Sequence, residues 1–328
     1  MIYARSEHTA SLLTNGNVLA TGGYGSGTYL NNTELYDPSA GFWTLVGSIN
    51  IARSNHIAAV LNNGQVLIAG GQNSNGYLNS TELYDPVAGN WTIVSSMNFV
   101  RTIHTASVLN DGNVLVTGGY NGNASNTAEL YDPSTGNWNI TNDMNNGRYG
   151  HSASVLNNGM VLVTGGYDSI TCQNTTEIYD PSVNNWNITN DMNYPRTFHT
   201  ATVLNNGKVL VAGGQACLGY LNSAELYDPS TGIWTITGSM DYGRSAHKAV
   251  LLTDGTVLVT GGIGQQNNSL NIAELYDPST ETWTTTSNMS SARTGHVANI
   301  LNDGRVLVNG GYELVDRLIY DIYSAELY

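Results

Sequence analysis

Charge is scarce in this chain. Only 11% of its 328 residues are charged, and 11 Lys and Arg stand against 25 Asp and Glu, a formal net charge of −14. An acidic surface of that size repels phosphate backbones, which argues against nucleic acid and anionic membrane as partners. Long apolar runs are missing too. None reaches the roughly 18 residues that a spanning helix requires, so no membrane insertion is expected. No segment sustains a helical period, and the two cysteines, Cys172 and Cys217, decide little by their number. The 41% hydrophobic content nevertheless suffices for a packed interior, and frequent Asn, Thr, Ser and Gly point to short strands joined by many turns.

What is abundant is recurrence. Arg-x-x-His appears seven times, at Arg5/His8, Arg53/His56, Arg101/His104, Arg148/His151, Arg196/His199, Arg244/His247 and Arg293/His296, 47 to 49 residues apart. Each copy is followed by Asn-Gly or Asp-Gly, by Gly-Gly, by Glu-Leu-Tyr or Glu-Ile-Tyr, and usually by Asp-Pro and Trp. Length alone would suggest two or three domains. A sustained period overrides that, because stacked repeats share one continuous core. The reading is a single domain, 1–328, with repeats at about 1–48, 49–96, 97–143, 144–191, 192–239, 240–288 and 289–328.

Met1 to Arg5 already match Met97 to Arg101, so no signal peptide is expected in the sequence given. Nine Asn-x-Ser/Thr sequons, at Asn31, Asn79, Asn90, Asn123, Asn139, Asn174, Asn187, Asn267 and Asn288, point to N-glycosylation and an extracellular or secreted protein. A chain this rich in Asn, Ser and Thr also produces sequons by chance.

The unit from Arg101 to Met144 shows what each copy builds. His104 to Leu109 alternates and is β-branched, Asp111-Gly112 intervenes, and Val114 to Thr117 resumes the strand pattern, which is a hairpin. All seven copies place Asn-Gly or Asp-Gly at that turn, which predicts a type I′ loop with positive φ at both central residues. Gly118-Gly119 ends the second strand. A loop leads to a third strand, Ala128 to Tyr131. Asp132-Pro133 with Gly136 reads as a tight turn before a fourth strand, Trp138 to Thr141.

Each repeat is thus a four-stranded antiparallel sheet. Its first strand is rich in Ala, Ser and Thr, and its fourth carries Trp. Sheets arranged radially crowd at the axis and diverge outside, so small residues suit the hub and indoles fill the wedges between blades. Burying one such aromatic contributes on the order of 2 to 3 kcal/mol. A linear solenoid needs no such taper. The fold class is therefore all-β, a β-propeller.

Arg-x-x-His, hydrophobic hairpin, Gly-Gly, Glu-Leu-Tyr-Asp-Pro and Trp, as in Arg196 to Trp234, resemble kelch repeats across essentially the whole chain. The resemblance implies a seven-bladed propeller with one four-stranded antiparallel blade per repeat. The seventh repeat stops at Glu326-Leu327-Tyr328, before its fourth strand. Its blade should have three strands, the outer one missing. Kelch propellers commonly close by letting both chain ends share a blade; here the ring is expected to close by face-to-face packing of blades seven and one.

All seven His and seven of the eleven Lys and Arg occupy repeat positions. A ring of Arg and His could hold an anion or a metal, but such recurrence is what scaffolding looks like. Arg53, His56, Glu82 and Trp91, and likewise Arg101, His104, Glu129 and Trp138, are read as structural: each Arg pairs with a repeat Glu, and each His caps its strand. No metal or cofactor is expected. Gly-Gly lies between strands with no helix following, so it is no phosphate cradle. Cys172 and Cys217 fall in corresponding loops of adjacent repeats, where a disulfide is possible.

Function is sought where the copies differ. After Gly-Gly stand Tyr24, Gln72, Tyr120, Tyr167, Gln215, Ile263 and Tyr312, and two residues before Arg stand Tyr3, Ile51, Phe99, Asn146, Tyr194, Tyr242 and Ser291. In kelch propellers these two loop sets share one face. Ligand contacts are expected at Tyr3, Phe99, Tyr194, Tyr242, Tyr24, Gln72, Tyr120, Tyr167, Gln215 and Tyr312, because Tyr with amides gives contact area and adaptable hydrogen bonds. The longest of these loops, Tyr312 to Ser324, is either a partner-binding projection or a hairpin packed on the ring. The expectation is a monomeric, non-enzymatic module that binds a protein or carbohydrate. Two alternatives are a copper enzyme, as resemblance to galactose-oxidase-like kelch propellers would imply, and a structural or engineered array with no specific ligand.

Overall fold

The computed structural model describes residues 1–328, and its sheets follow the repeats one for one. Blade three pairs Thr105–Val108 with Val114–Thr117, that strand with Ala128–Asp132, and the last with Asn137–Ile140, all antiparallel. Six blades have this four-stranded order, and the seventh has three strands, Val297–Ile300, Val306–Asn309 and Ala325–Leu327. There is no α-helix, and no helix is long and apolar enough to cross a membrane.

The second strand of every blade is buried at all four positions, as in Val114–Thr117, because it is covered on both faces by neighbouring blades. The outer strand is exposed apart from its indole: Trp138 is 9% exposed, whereas Ile140, two residues on, is 57% exposed. Each indole packs on the repeat Tyr of its own blade, with Tyr131 and Trp138 centroids 5.2 Å apart, and enters the core that the blade shares with the one before it. Trp138, Trp186, Trp234 and Trp283 also donate Nε1 to a carbonyl of the preceding blade, at Ser95, Asn142, Asn190 and Gly238 respectively.

The hairpin turn departs from the type I′ expectation. Gly112 has φ +89°, but Asp111 does not enter the left-handed region. Gly112 N–H donates to Leu109 O, Leu109 N–H donates to Asn113 O, and the Asp111 carboxylate accepts from Asn113 N–H. This is a wider loop in which only the glycine needs positive φ, so Asn or Asp serves here by bonding its own backbone.

Gly-Gly proves to be the joint between blades. Gly119 N–H donates to Arg148 O of the next blade at 2.9 Å, and a Cβ on Gly118 would lie 2.5 Å from that same carbonyl. The bond recurs at every seam, including Gly311 N–H to Arg5 O at 2.8 Å, which joins blade seven to blade one. The ring closes as expected. Val18 and Tyr36 of blade one share a core with Leu301 and Leu307 of blade seven, and Trp43 packs against them.

Candidate functional site

The repeat Arg residues are fully buried in all seven copies. Arg101 places Nη1 on Gly118 O and Thr127 O, and Nη2 on Thr127 Oγ1 and the Glu129 carboxylate. It thereby ties the start of the first strand to the second and third. The second oxygen of Glu129 accepts Asn98 N–H, fixing the loop that enters the blade. Arg53 and Glu82 form the same unit, with Nη2 and Oε1 3.1 Å apart. These groups are engaged within the blade and present no charge to a ligand.

The histidines bind the neighbouring blade and do not cap their own strand. His151 Nε2 lies 2.9 Å from Thr105 Oγ1, and His56 Nε2 lies 3.0 Å from Thr9 Oγ1. At the closing seam His8 Nε2 meets Asn309 Oδ1 at 2.8 Å, an amide replacing the usual hydroxyl. His104 packs against Gly70 of the preceding blade without such a bond. Burial, reinforced by the nearby Arg charge, lowers the His151 pKa to about 3, so the rings are neutral near pH 7.

Between Arg and His, one residue per blade forms the rim of the axial channel: Glu7, Asn55, Ile103, Gly150, Phe198, Ala246 and Gly295. All seven have φ between +52° and +63°. Backbone N–H to carbonyl bonds link neighbours along this rim, from Glu7 to Gly295 at 2.9 Å and from Asn55 to Glu7 at 2.9 Å. Beneath it lies a cavity of about 440 Å³ walled by the histidines, Ala10, Ala58 and Lys248. Lys248 and Glu7 are the charged members of two variable positions that flank the repeat His inside the channel.

The loop face is organised by the same framework. Every residue after Gly-Gly forms a β-bridge to the residue after Arg, as in Thr102 to Tyr120 and Tyr149 to Tyr167. Its backbone is therefore fixed and its side chain is presented from a rigid base. Tyr24 and Gln215 are exposed; Gln72, Tyr120, Tyr167 and Tyr312 are half-buried. Tyr3, Phe99, Tyr194 and Tyr242 are exposed in the entering loops, where their N–H groups are held by the repeat Glu carboxylates.

The structure joins only some of these candidates. Tyr77, Tyr120, Tyr149 and Tyr167 form a continuous arc over blades two to four, with successive ring centroids 5.5, 5.1 and 5.6 Å apart, all edge to face. Tyr24 pairs separately with Tyr29 at 5.2 Å. Tyr29, Tyr77 and Tyr149 were not singled out from sequence; aligning the loops copy by copy would have placed Tyr29 and Tyr77 at equivalent hairpin positions. Tyr3, Phe99, Tyr194 and Tyr242 stay outside the arc.

The long loop of blade seven is a hairpin, Tyr312–Val315 with Leu318–Asp321, and it packs on the ring. Ser269 N–H of blade six donates to Leu314 O, and Ser26 N–H of blade one donates to the Asp321 carboxylate. It thus straddles the closing seam while Leu318, Ile319 and Tyr320 remain more than half exposed. Cys172 and Cys217 are adjacent as free thiols. Two of the sequon amides are scaffold, since Asn79 and Asn174 donate to the carbonyls of Met97 and Met192.

Seven radial antiparallel sheets around a channel define a β-propeller. Within that class the chain belongs to the Kelch-repeat propellers. Residues 103–311 match the KLHDC2/KLHL20/DRC7 Kelch-repeats domain, and residues 2–178 match the Attractin/LZTR1 beta-propeller. No curated protein matches the sequence. Among solved structures, a fungal alcohol oxidase of the AA5 family in complex with copper is similar in fold, with TM-score 0.76 at 19% identity over 94% of this chain and 70% of that one.

Copper chemistry of the galactose-oxidase kind needs Tyr, Cys and His together. The pocket that gathers Tyr149, Tyr167, Cys172 and Cys217 is completed by Ile170, Thr197, Phe198, Gln215 and Ala216, with no histidine in its lining. All seven histidines face the axial cavity. The residues present do not fit that metal centre.

Proposed function

We propose that this propeller is a non-enzymatic, monomeric binding module that grips a protein partner through its loop face, with the tyrosine arc as anchor. A protein-interaction role is what Kelch-repeat domains in general suggest, and the arc supplies the particular surface. The observation that carries the reading is the row Tyr77, Tyr120, Tyr149 and Tyr167 on bridged backbone. Rigid aromatic rings with polar edges lose little entropy on binding and dominate interface energetics, and the Tyr167 ring is further fixed by its hydroxyl donating to Ile170 O. Every His and repeat Arg is already engaged or enclosed in the scaffold, which favours recognition over catalysis.

A carbohydrate remains the second reading on one observation. Tyr24 and Tyr29 flank an open cleft of about 690 Å³ with Asn50, Asn73 and Asn75, a combination of stacking faces and amides.

The test is selection from a displayed peptide library and a glycan array, repeated with a Tyr120→Ala/Tyr149→Ala/Tyr167→Ala variant. Selected peptides should bind the variant at least roughly 30-fold more weakly, equivalent to the loss of one 2 kcal/mol anchor, with cooperative unfolding and the strand spectrum of the fold retained. Undiminished peptide binding would remove the arc from the site. Enrichment of glycans alone would replace the protein partner by a saccharide.

A further inference from the structure

The two cysteines stand apart from everything the repeat requires. Cys172 lies in the loop of blade four that follows Gly165-Gly166, bridged to Tyr167 and 9% exposed. Cys217 sits at the tip of the corresponding blade-five hairpin, between Gln215–Ala216 and Gly219–Tyr220, and is exposed. The chain separates them by 45 positions, yet Cys172 N–H donates to Cys217 Sγ at 3.4 Å, and Thr171 Oγ1 lies 3.4 Å from the same sulfur. The other loops of this face hold no cysteine.

Their environments differ in the sense that thiol oxidation requires. Contact with Thr171 and the Cys172 N–H favours the charged sulfur of Cys217 and lowers its pKa. Burial, with Cys217 beside it, pushes the Cys172 thiol up to about 12. One sulfur is open to solvent and ready to react. The other is sheltered and held next to it.

We infer that Cys172 and Cys217 form a two-thiol modification site that hydrogen peroxide converts to a disulfide joining blades four and five. Cys217 thiolate attacks the peroxide O–O bond; a sulfenic acid forms on Cys217 and hydroxide leaves, to be protonated to water. Cys172 sulfur then displaces the sulfenic oxygen, the S–S bond forms, and a second water departs with the Cys172 proton. Two electrons pass from the sulfurs to the peroxide, so the atoms balance. The hairpin tip is the mobile partner. Leu218 beside Cys217 is fully exposed, so a small tip movement meets no packing resistance. The bond forms in the wall of the pocket lined by Tyr149, Tyr167 and Phe198, and so pins one end of the tyrosine arc.

The experiment treats the reduced full chain with hydrogen peroxide, quenches with an alkylating reagent and reads intact mass and a non-reducing peptide map. Expected are loss of two hydrogens, a linked Cys172–Cys217 peptide pair, and a rise in Tm of about 5 °C that dithiothreitol reverses. Cys172→Ser should leave a sulfenic acid on Cys217 that dimedone traps, whereas Cys217→Ser should yield no dimedone adduct. Disulfide-linked dimers through Cys217, trapping at Cys172 in the Cys217→Ser variant, or over-oxidation of Cys217 without linkage would each overturn the assignment. Because the readout is covalent, it is independent of whether the tyrosine arc binds anything.

Discussion

Blade three and blade seven show where this ring keeps its strength. Blade three has its outer strand, its Trp138 in the wedge, and an Arg101–Glu129 pair sealed from solvent. Blade seven has neither outer strand nor indole, and the Glu326 side chain that meets Arg293 is 22% exposed. Yet the axial contacts of the two are the same: a Gly-Gly to Arg carbonyl bond, a bond accepted from or given to the His of the next blade, and a left-handed rim residue. The difference is confined to the periphery. Closure is therefore a property of the hub, and the outer strand adds stability to a ring already shut.

Acid should break the hub everywhere at once. Burial and the adjacent Arg lower the pKa of His8, at the closing seam, and of His151, at an interior seam, to about 3 in each case. Because the folded values lie below the unfolded value near 6.5, the stability tied to neutral imidazole is intact above pH 6.5. It drains as pH falls toward 3, at about 1.4 kcal/mol per pH unit per histidine. At pH 4.5 these two alone remove about 5 kcal/mol. Hydrogen exchange at pH 5 should show Gly311 N–H and Gly119 N–H losing protection together; earlier loss at Gly311 would mark the closing seam as the weaker one.

Breaking the ion pair should separate the two blades. Arg101→Ala leaves Glu129 buried without its cation and should cost about 3–5 kcal/mol in urea unfolding. Arg293→Ala should cost about 1–2 kcal/mol less, because Glu326 keeps contact with water. Equal losses would mean that solvent does not reach the seventh pair in solution.

The smallest effect belongs to the wedges. Trp138→Ala should destabilise by about 3 kcal/mol, and Tyr328→Ala, at a ring 37% exposed, by about 1 kcal/mol. A larger loss at Tyr328 would place more of the closure energy at the periphery than the geometry does.

Much of the fold was legible in the sequence because each signal is repeated seven times. Asp111-Gly112, Gly118-Gly119 and Glu129 locate the turn, the end of the second strand and the third strand from local chemistry. What the histidines do was not legible: a hydrogen bond such as His56 to Thr9 joins residues 47 positions apart, and only the radial stacking creates it. The turn type was misjudged because Asp111 satisfies its loop through its own carboxylate, a choice that dipeptide rules do not capture. At the site, inspecting positions one at a time found Tyr120 and Tyr167 but not Tyr77 or Tyr149. These complete the arc only because blades two to four bring different loop positions to the same radius. Lys248 and Glu7 were hidden for the opposite reason, being charged residues at variable positions that flank the recurrent His, where the recurrence drew attention to the His alone.

The rim bond from Glu7 N–H to Gly295 O has a consequence for the polypeptide as a thread. It holds blades that no peptide bond connects as firmly as its counterparts hold blades joined in sequence, and Met1 N already rests on Tyr323 O nearby. Covalent order is thus incidental to the ring. A circular permutant with old termini joined by a linker long enough to run the length of strand Ala325–Leu327, and new ones opened in an Asp-Pro turn, should assemble the same wheel from a different starting spoke.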